Sequence, residues 1–237
     1  MLLALCWWRT QRISQSTNLS LVGGGSLALY MVGFSIAYRN LDAGLGALIL
    51  FGAVQITMFG WGAARGAALT SGQIIGAVLA FGGLTYVLWP VGELQVSLTG
   101  ATFMIFAGLG WATYSLLGRQ VQSPLAATTM NFVWASIMVL PLVWVLAEPV
   151  VITATGAGLA VVSGVVTSGL GYALWYRVLP QLQPTVAATV QLSVPVIAML
   201  AGVVGLGEEL SLRLIIGAAA VLGGIALVIA TAPSKSS

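Results

Sequence analysis

Eight long apolar runs, separated by short polar breaks, make up nearly the whole chain. They cover roughly residues 21–38, 43–61, 73–90, 101–118, 126–147, 157–176, 186–206 and 214–232. Each approaches the ~20 residues that a helix needs to cross a bilayer. Helices are the only consistent choice: an open sheet leaves backbone groups unpaired in lipid, and the alternation of a barrel strand is absent. The breaks carry the expected punctuation: Arg39-Asn40-Leu41-Asp42, Pro90 to Gly92, Ser123-Pro124, Glu148-Pro149 and Gly207-Glu208-Glu209. The pattern predicts an all-α integral membrane protein, a polytopic bundle of about eight transmembrane helices.

Composition agrees. The 237 residues are 59% hydrophobic and 5% charged, against about 25% charge in soluble domains. Thirty glycines point to close helix packing, because small residues let transmembrane backbones approach.

The charges orient the bundle. Alternate breaks must fall on opposite sides. One side receives Arg9, Arg12, Arg65, Arg119, Arg177 and Lys235 and no acid. The other receives Asp42, Glu93, Glu148, Glu208 and Glu209, with Arg39 and Arg213. The positive-inside rule makes the first side cytoplasmic, which puts both termini inside. The basic residues are scattered singly, so the net charge of +3 marks no nucleic-acid surface. There is one cysteine, Cys6, and no histidine, so there is no disulfide framework and no imidazole chemistry. Met1 to Trp8 is apolar and precedes Arg9, the reverse of a signal peptide.

The chain also repeats itself. Tyr38-Arg39-Asn40-Leu41 recurs as Tyr176-Arg177-Val178-Leu179. Val54-Gln55-Ile56-Thr57 recurs as Val190-Gln191-Leu192-Ser193. Ile74-Ile75-Gly76-Ala77 with Gly82-Gly83 recurs as Ile215-Ile216-Gly217-Ala218 with Gly223-Gly224. The offsets are 138, 136 and 141. Spans 1 to 3 map onto spans 6 to 8, an odd shift of five, so the copies are expected to be inverted. Inverted repeats are typical of secondary transporters. A complete unit holds five spans, as residues 93–237 do. Residues 1–92 then form an incomplete first repeat of three spans, with Met1 to Trp8 as the stump of a lost helix. The expected architecture is an inverted five-plus-five repeat lacking its first two helices.

With these features the chain resembles the drug/metabolite transporter superfamily, in its EamA-like branch. The resemblance rests on Trp111-Ala112-Thr113-Tyr114-Ser115 with Gly118-Arg119, and on Gln191-Leu192-Ser193-Val194-Pro195-Val196 followed by Gly207-Glu208-Glu209 and Gly217. The first copy departs from it. Met58 stands near the place of Pro195, and Arg65-Gly66 replaces a Gly-Glu pair. The resemblance implies export or exchange of small metabolites or drugs by alternating access, with no cofactor.

The candidate substrate-binding residues are Gln55, Gln191, Trp111, Tyr114 and Asn131, and Pro195 is the candidate hinge. Gln55 and Gln191 sit mid-span at equivalent places and could share a midplane cavity; the plainer alternative is a hydrogen bond that ties helices together. Pro195 should kink span 7. Trp111, Tyr114 and Asn131 lie deep enough to line a cavity. Trp89, Trp144, Trp175 and Tyr176 lie at span ends and suit an interfacial belt. Arg119 and Arg177 are expected only to set topology. No acid lies mid-span, so no buried carboxylate relay is expected, and the catalytic and metal-ligand sets of an intramembrane enzyme are missing. The expected partners are the lipid bilayer and a small-molecule substrate, with a homo-oligomer left open. The expected location is the cell (inner) membrane. The competing expectation is a truncated, non-transporting remnant or a partner-dependent subunit.

Overall fold

The computed structural model describes residues 1–2, 17–67, 69–90, 97–146, 153–207 and 209–233. The expected stump beyond Leu2 and the charges Arg9, Arg12, Glu93, Glu148, Glu208 and Lys235 lie outside these residues. Among the described residues there is no strand, and eight helical segments are long and apolar enough to span a membrane. The first four are α1 (Thr17–Ala37), α2 (Ala43–Ala64), α3 (Ser71–Leu88) and α4 (Leu98–Gly118), followed by α5 (Pro124–Leu146). The sixth span joins α6 (Ala154–Val162), a π-helical stretch (Ser163–Leu170), α7 (Gly171–Val178) and a short 3₁₀ turn (Leu179–Gln181). The seventh is split into α8 (Pro184–Val190) and α9 (Ser193–Leu206), and α10 (Leu212–Ala230) is the eighth.

The helix ends follow from their side chains. Asp42, expected only as a loop acid, caps α2: its carboxylate accepts from the amides of Gly44 at 2.8 Å and Leu45 at 3.4 Å. Thr70 and Gln73 form a reciprocal capping box at the start of α3. Ser211 accepts from the Leu214 amide at 3.1 Å and starts α10. Gly207 closes α9 with φ at 70°, a left-handed conformation that glycine adopts without strain. Pro141 lies inside α5 without ending it.

The chain divides into two compact units. One holds Met1–Val32 and Thr113–Leu182, the other Gly33–Ala112 and Gln183–Ser237. In the first, α1 meets α5 through glycine. A Cβ on Gly23 would collide with the Asn131 carboxamide, and one on Gly24 with Trp134 and the backbone of Asn131.

In the second unit α3 and α10 pack backbone to backbone. A Cβ on Gly76 would lie 2.6 Å from the Gly224 carbonyl oxygen, and one on Gly83 would lie 3.0 Å from that of Gly217. The order of the pairs makes the two helices antiparallel. Under the repeat, Gly76 corresponds to Gly217 and Gly83 to Gly224, so each glycine pair maps onto the other. The ends are tied as well. Thr70 Oγ1 donates to the Thr231 carbonyl at 3.1 Å, and Arg213 donates to the carbonyls of Tyr86 at 2.7 Å and Trp89 at 2.6 Å. Leu48, Leu84, Leu192, Val196 and Val221 fill the adjoining core.

Candidate functional site

Two polar clusters lie inside otherwise apolar helices, one in each unit. The first is built on α4, α5 and α7. Asn131 is 1% exposed, and its Nδ2 donates to Tyr176 Oη at 3.0 Å. Tyr176 Oη in turn donates to the Tyr114 carbonyl at 3.0 Å. The Tyr114 and Tyr176 rings lie 4.5 Å apart between centroids, and Tyr172 extends the aromatic group at 5.9 Å from Tyr114. The Tyr114 hydroxyl neighbours Thr128 and Asn131. Even so, Thr128 Oγ1, Asn131 Oδ1 and Trp134 Nε1 are buried with no hydrogen bond of good geometry among the described residues. These three side chains recur every third residue along α5. Each unpaired buried polar group costs about 1–3 kcal/mol.

Tyr176 was expected in an interfacial belt. It is fully buried and central to this cluster, because Gly118 leaves room for its ring: a Cβ there would sit 2.7 Å from Tyr176 Cε2. Trp175 also has a specific partner, donating Nε1 to Ser115 Oγ at 3.1 Å. Trp89 is 48% exposed, and the Trp144 side chain lies outside the described residues. Arg119, expected only to set topology, has a specific partner: its Nε donates to the Leu182 carbonyl at 3.0 Å, and burial lowers its pKa from the ordinary value. Beside the cluster, α5 and the π-helical stretch border an open pocket of about 410 Å³, lined in part by Phe132, Val133, Ser136, Gly164 and Gly169.

The second cluster sits at the break in span 7. Pro195 has no amide hydrogen, and its ring crowds the carbonyl four residues back, which belongs to Gln191. The helix opens there, one turn before the proline. Tight bonds replace the regular ladder: Leu192 N to Thr189 O at 3.0 Å, Val194 N to Gln191 O at 3.0 Å and Ser193 Oγ to Val190 O at 2.7 Å. The Gln191 side chain completes the repair. Its Nε2 donates to the Ala187 carbonyl at 2.9 Å and approaches Met58 Sδ at 3.8 Å, and its Oε1 accepts from Trp111 Nε1.

The structure thus groups Trp111 with Gln191, and Tyr114 with Asn131. Gln55 stands apart: it lines a groove between α2 and α3, and its Oε1 is buried without a partner among the described residues. Gln55 and Gln191 share no hydrogen bond and no cavity among those residues.

Sequence reasoning missed a third polar network, at the start of α3. Gln73 is fully buried. Its Nε2 donates to Gln183 Oε1 at 3.2 Å and Thr185 Oγ1 at 3.1 Å, and Gln183 Nε2 donates to the Pro233 carbonyl at 2.9 Å. The signal was present as Thr70-Ser71-Gly72-Gln73, a capping-box spacing. Among the described residues no group of acidic, cysteine or histidine side chains could hold a metal.

Comparison with known proteins places this arrangement. Residues 98–230 match the EamA-like transporter family. An uncharacterized protein of Pseudomonas aeruginosa is 45% identical over 208 residues, covering 88% of this chain and 72% of its own length. An uncharacterized transporter of Bacillus subtilis is 27% identical over 214 residues, with the same coverage of each chain. A protein of known crystal structure, 20% identical, has a TM-score of 0.82 and covers 96% of this chain and 83% of that one; at that identity the likeness concerns the fold. With eight apolar spans and these matches, the chain is a multi-pass membrane protein that belongs to the EamA-like transporter family of the drug/metabolite transporter superfamily.

Proposed function

We propose that this protein moves small metabolites or drugs across the cell (inner) membrane by alternating access, as an exporter or exchanger, with both termini cytoplasmic. The observation that carries the reading is the run of buried polar atoms on α5 that make no well-formed hydrogen bond among the described residues. Thr128 Oγ1, Asn131 Oδ1 and Trp134 Nε1 are buried in a membrane-spanning helix beside three tyrosines. Polar groups inside a span are costly and mark solute pathways. A solute with hydroxyl or amine groups would offset that cost, and the tyrosine rings would hold its apolar or cationic part. In this reading Tyr114 and Asn131 contact the solute. Trp111 and Gln191 pin the break in span 7, and Pro195 provides the hinge. The reciprocal glycine contacts of α3 and α10 support two inverted copies, the framework on which such transporters alternate.

The test is efflux from proteoliposomes loaded with a metabolite panel covering amino acids, nucleosides, sugars and amphipathic amines. Release of at least one solute above empty liposomes is expected, reduced at least tenfold by Asn131→Leu. Absence of release for every solute would sink the proposal. Reporter fusions after Arg65 and Glu148 test the topology: they should mark opposite sides, Arg65 cytoplasmic, and a shared side overturns the assignment.

A further inference from the structure

Span 6 changes helical register along its length. Its middle, Ser163–Leu170, is π-helical, and the backbone stays right-handed at the junctions with α6 and α7, at Val162 and Gly171. A π run pairs each amide with the carbonyl five residues back, so it stores one residue more than an α-helix between the same flanks. Such runs are rare and cluster at functional sites. The repeat pattern does not impose this one. At the offset of 138 that relates Tyr38 to Tyr176, the run corresponds to residues 25–32, which lie inside the unbroken α1.

Packing separates the two copies. In α1, Ser26, Leu27 and Ala28 are buried, and Gly23 and Gly24 just before them seat the helix on α5. In span 6 the run buries only Gly169, and α6 buries none of its residues. A Cβ on Gly158, Gly164 or Gly171 would meet nothing within 4 Å. The other end, α7, is the opposite case. Tyr176 donates to the Tyr114 carbonyl and accepts from Asn131, and Trp175 donates to Ser115. One end of the span is anchored, the other is free to turn, and the wide turn lies between them. Within the run, Thr167 Oγ1 donates to the Ser163 carbonyl, the acceptor that the Thr167 amide would use in an α-helix. The hydroxyl thus occupies the carbonyl that the π register takes from its amide.

We propose that Ser163–Leu170 is a register joint. Returned to α-helical pairing, it turns α6 by about 100° against the anchored α7 and moves it by about 1.5 Å, one residue's worth. Gly164, Val165 and Gly169 of the joint line the open pocket on α5, so the change of register reshapes that pocket. Use of the joint in a transport cycle rests on the function proposed above. The register itself does not, and the two are tested apart.

Amide hydrogen exchange of the purified protein in detergent, read by mass spectrometry, tests the joint. Residues 165–171 should exchange about fivefold faster than residues 156–162 of the equally bare α6, the worth of one net hydrogen bond. Deletion of Val166 removes the stored residue, so this variant should fold, keep a thermal midpoint near the parent's and exchange evenly along the span. Deletion of Ala28, its counterpart in α1, finds no stored residue to absorb it. That deletion turns the two ends of α1 by about 100° against each other and should leave little folded protein. In the efflux assay, the Val166 deletion should slow release of each solute that the parent releases by about tenfold or more. Exchange no faster in 165–171 than in 156–162, an uneven pattern that survives the Val166 deletion, or a Val166 deletion as damaging as that of Ala28 overturns the joint. Release at the parent's rate by the Val166 deletion overturns its part in transport. A parent that releases nothing counts against the function proposed above, and the exchange result still decides the joint.

Discussion

Gln55 and Gln191 occupy corresponding positions in two copies of one sequence pattern, yet their carboxamides lead different lives. Gln191 sits at the opening of a broken span, and its side chain serves the Ala187 carbonyl and receives Trp111. Gln55 sits in an unbroken α2, where the backbone ladder is complete and asks nothing of it. At the shared offset the residue matching Pro195 is Phe59. A single proline therefore decides whether the neighbouring amide becomes a structural repair or, as at Gln55, a group whose oxygen has no partner among the described residues.

That contrast can be broken most forcefully by moving the proline. Phe59→Pro should open α2 as span 7 is open and cost about 3 kcal/mol or more, read as a fall in the thermal midpoint of the purified protein in detergent. Phe59→Leu should stay near the parent. A stable Phe59→Pro protein would show that the break does not come from the proline. Next in size is Gln191→Leu, which strands Trp111 Nε1 and the Ala187 carbonyl; a loss of about 2–3 kcal/mol is expected by the same measurement. Gly76→Ala should cost roughly 1–2 kcal/mol, because its methyl group meets the Gly224 carbonyl. Gly82→Ala, with nothing within 4 Å, should be neutral or slightly stabilising. Equal effects at the two glycines would remove the α3–α10 pairing from the account. The smallest effect belongs to Gln55→Leu, within about 0.5 kcal/mol of the parent in thermal stability; a large loss would mean that its carboxamide has a structural partner after all.

The bundle was legible because apolar length is an unambiguous signal in a chain with so few charges. All eight spans appear within a few residues of their expected bounds. Capping residues moved the starts: α3 begins at Ser71 rather than near 73 because Thr70 and Gln73 cap it. The disruption of span 7 was legible from Pro195, but its position one turn earlier depends on which carbonyl the ring crowds. The π-helical stretch has no comparable mark, since Ser163–Leu170 is composed like the α-helices around it.

The site was only partly legible. Depth along a span singled out Asn131, Tyr114 and Trp111, but depth does not give azimuth. Tyr176 lies near a span end and is nonetheless fully buried, because Gly118 on another helix admits its ring. The Thr128 hydroxyl and the Trp134 indole nitrogen gain meaning only once the fold is seen to bury both atoms. Pairing of Gln191 with Trp111, 80 residues away, is a tertiary contact that no local pattern encodes.

The most direct test of the central claim is the thermal midpoint of the purified protein with and without a solute that it releases from vesicles. At a concentration near 100 times the dissociation constant, such a solute should stabilise the parent protein by about 2.7 kcal/mol, a rise of a few degrees. The same rise is expected in Gln55→Leu, and none in Asn131→Leu. A full rise in Asn131→Leu, or its loss in Gln55→Leu instead, would contradict the placement of the solute beside Asn131 and Tyr114.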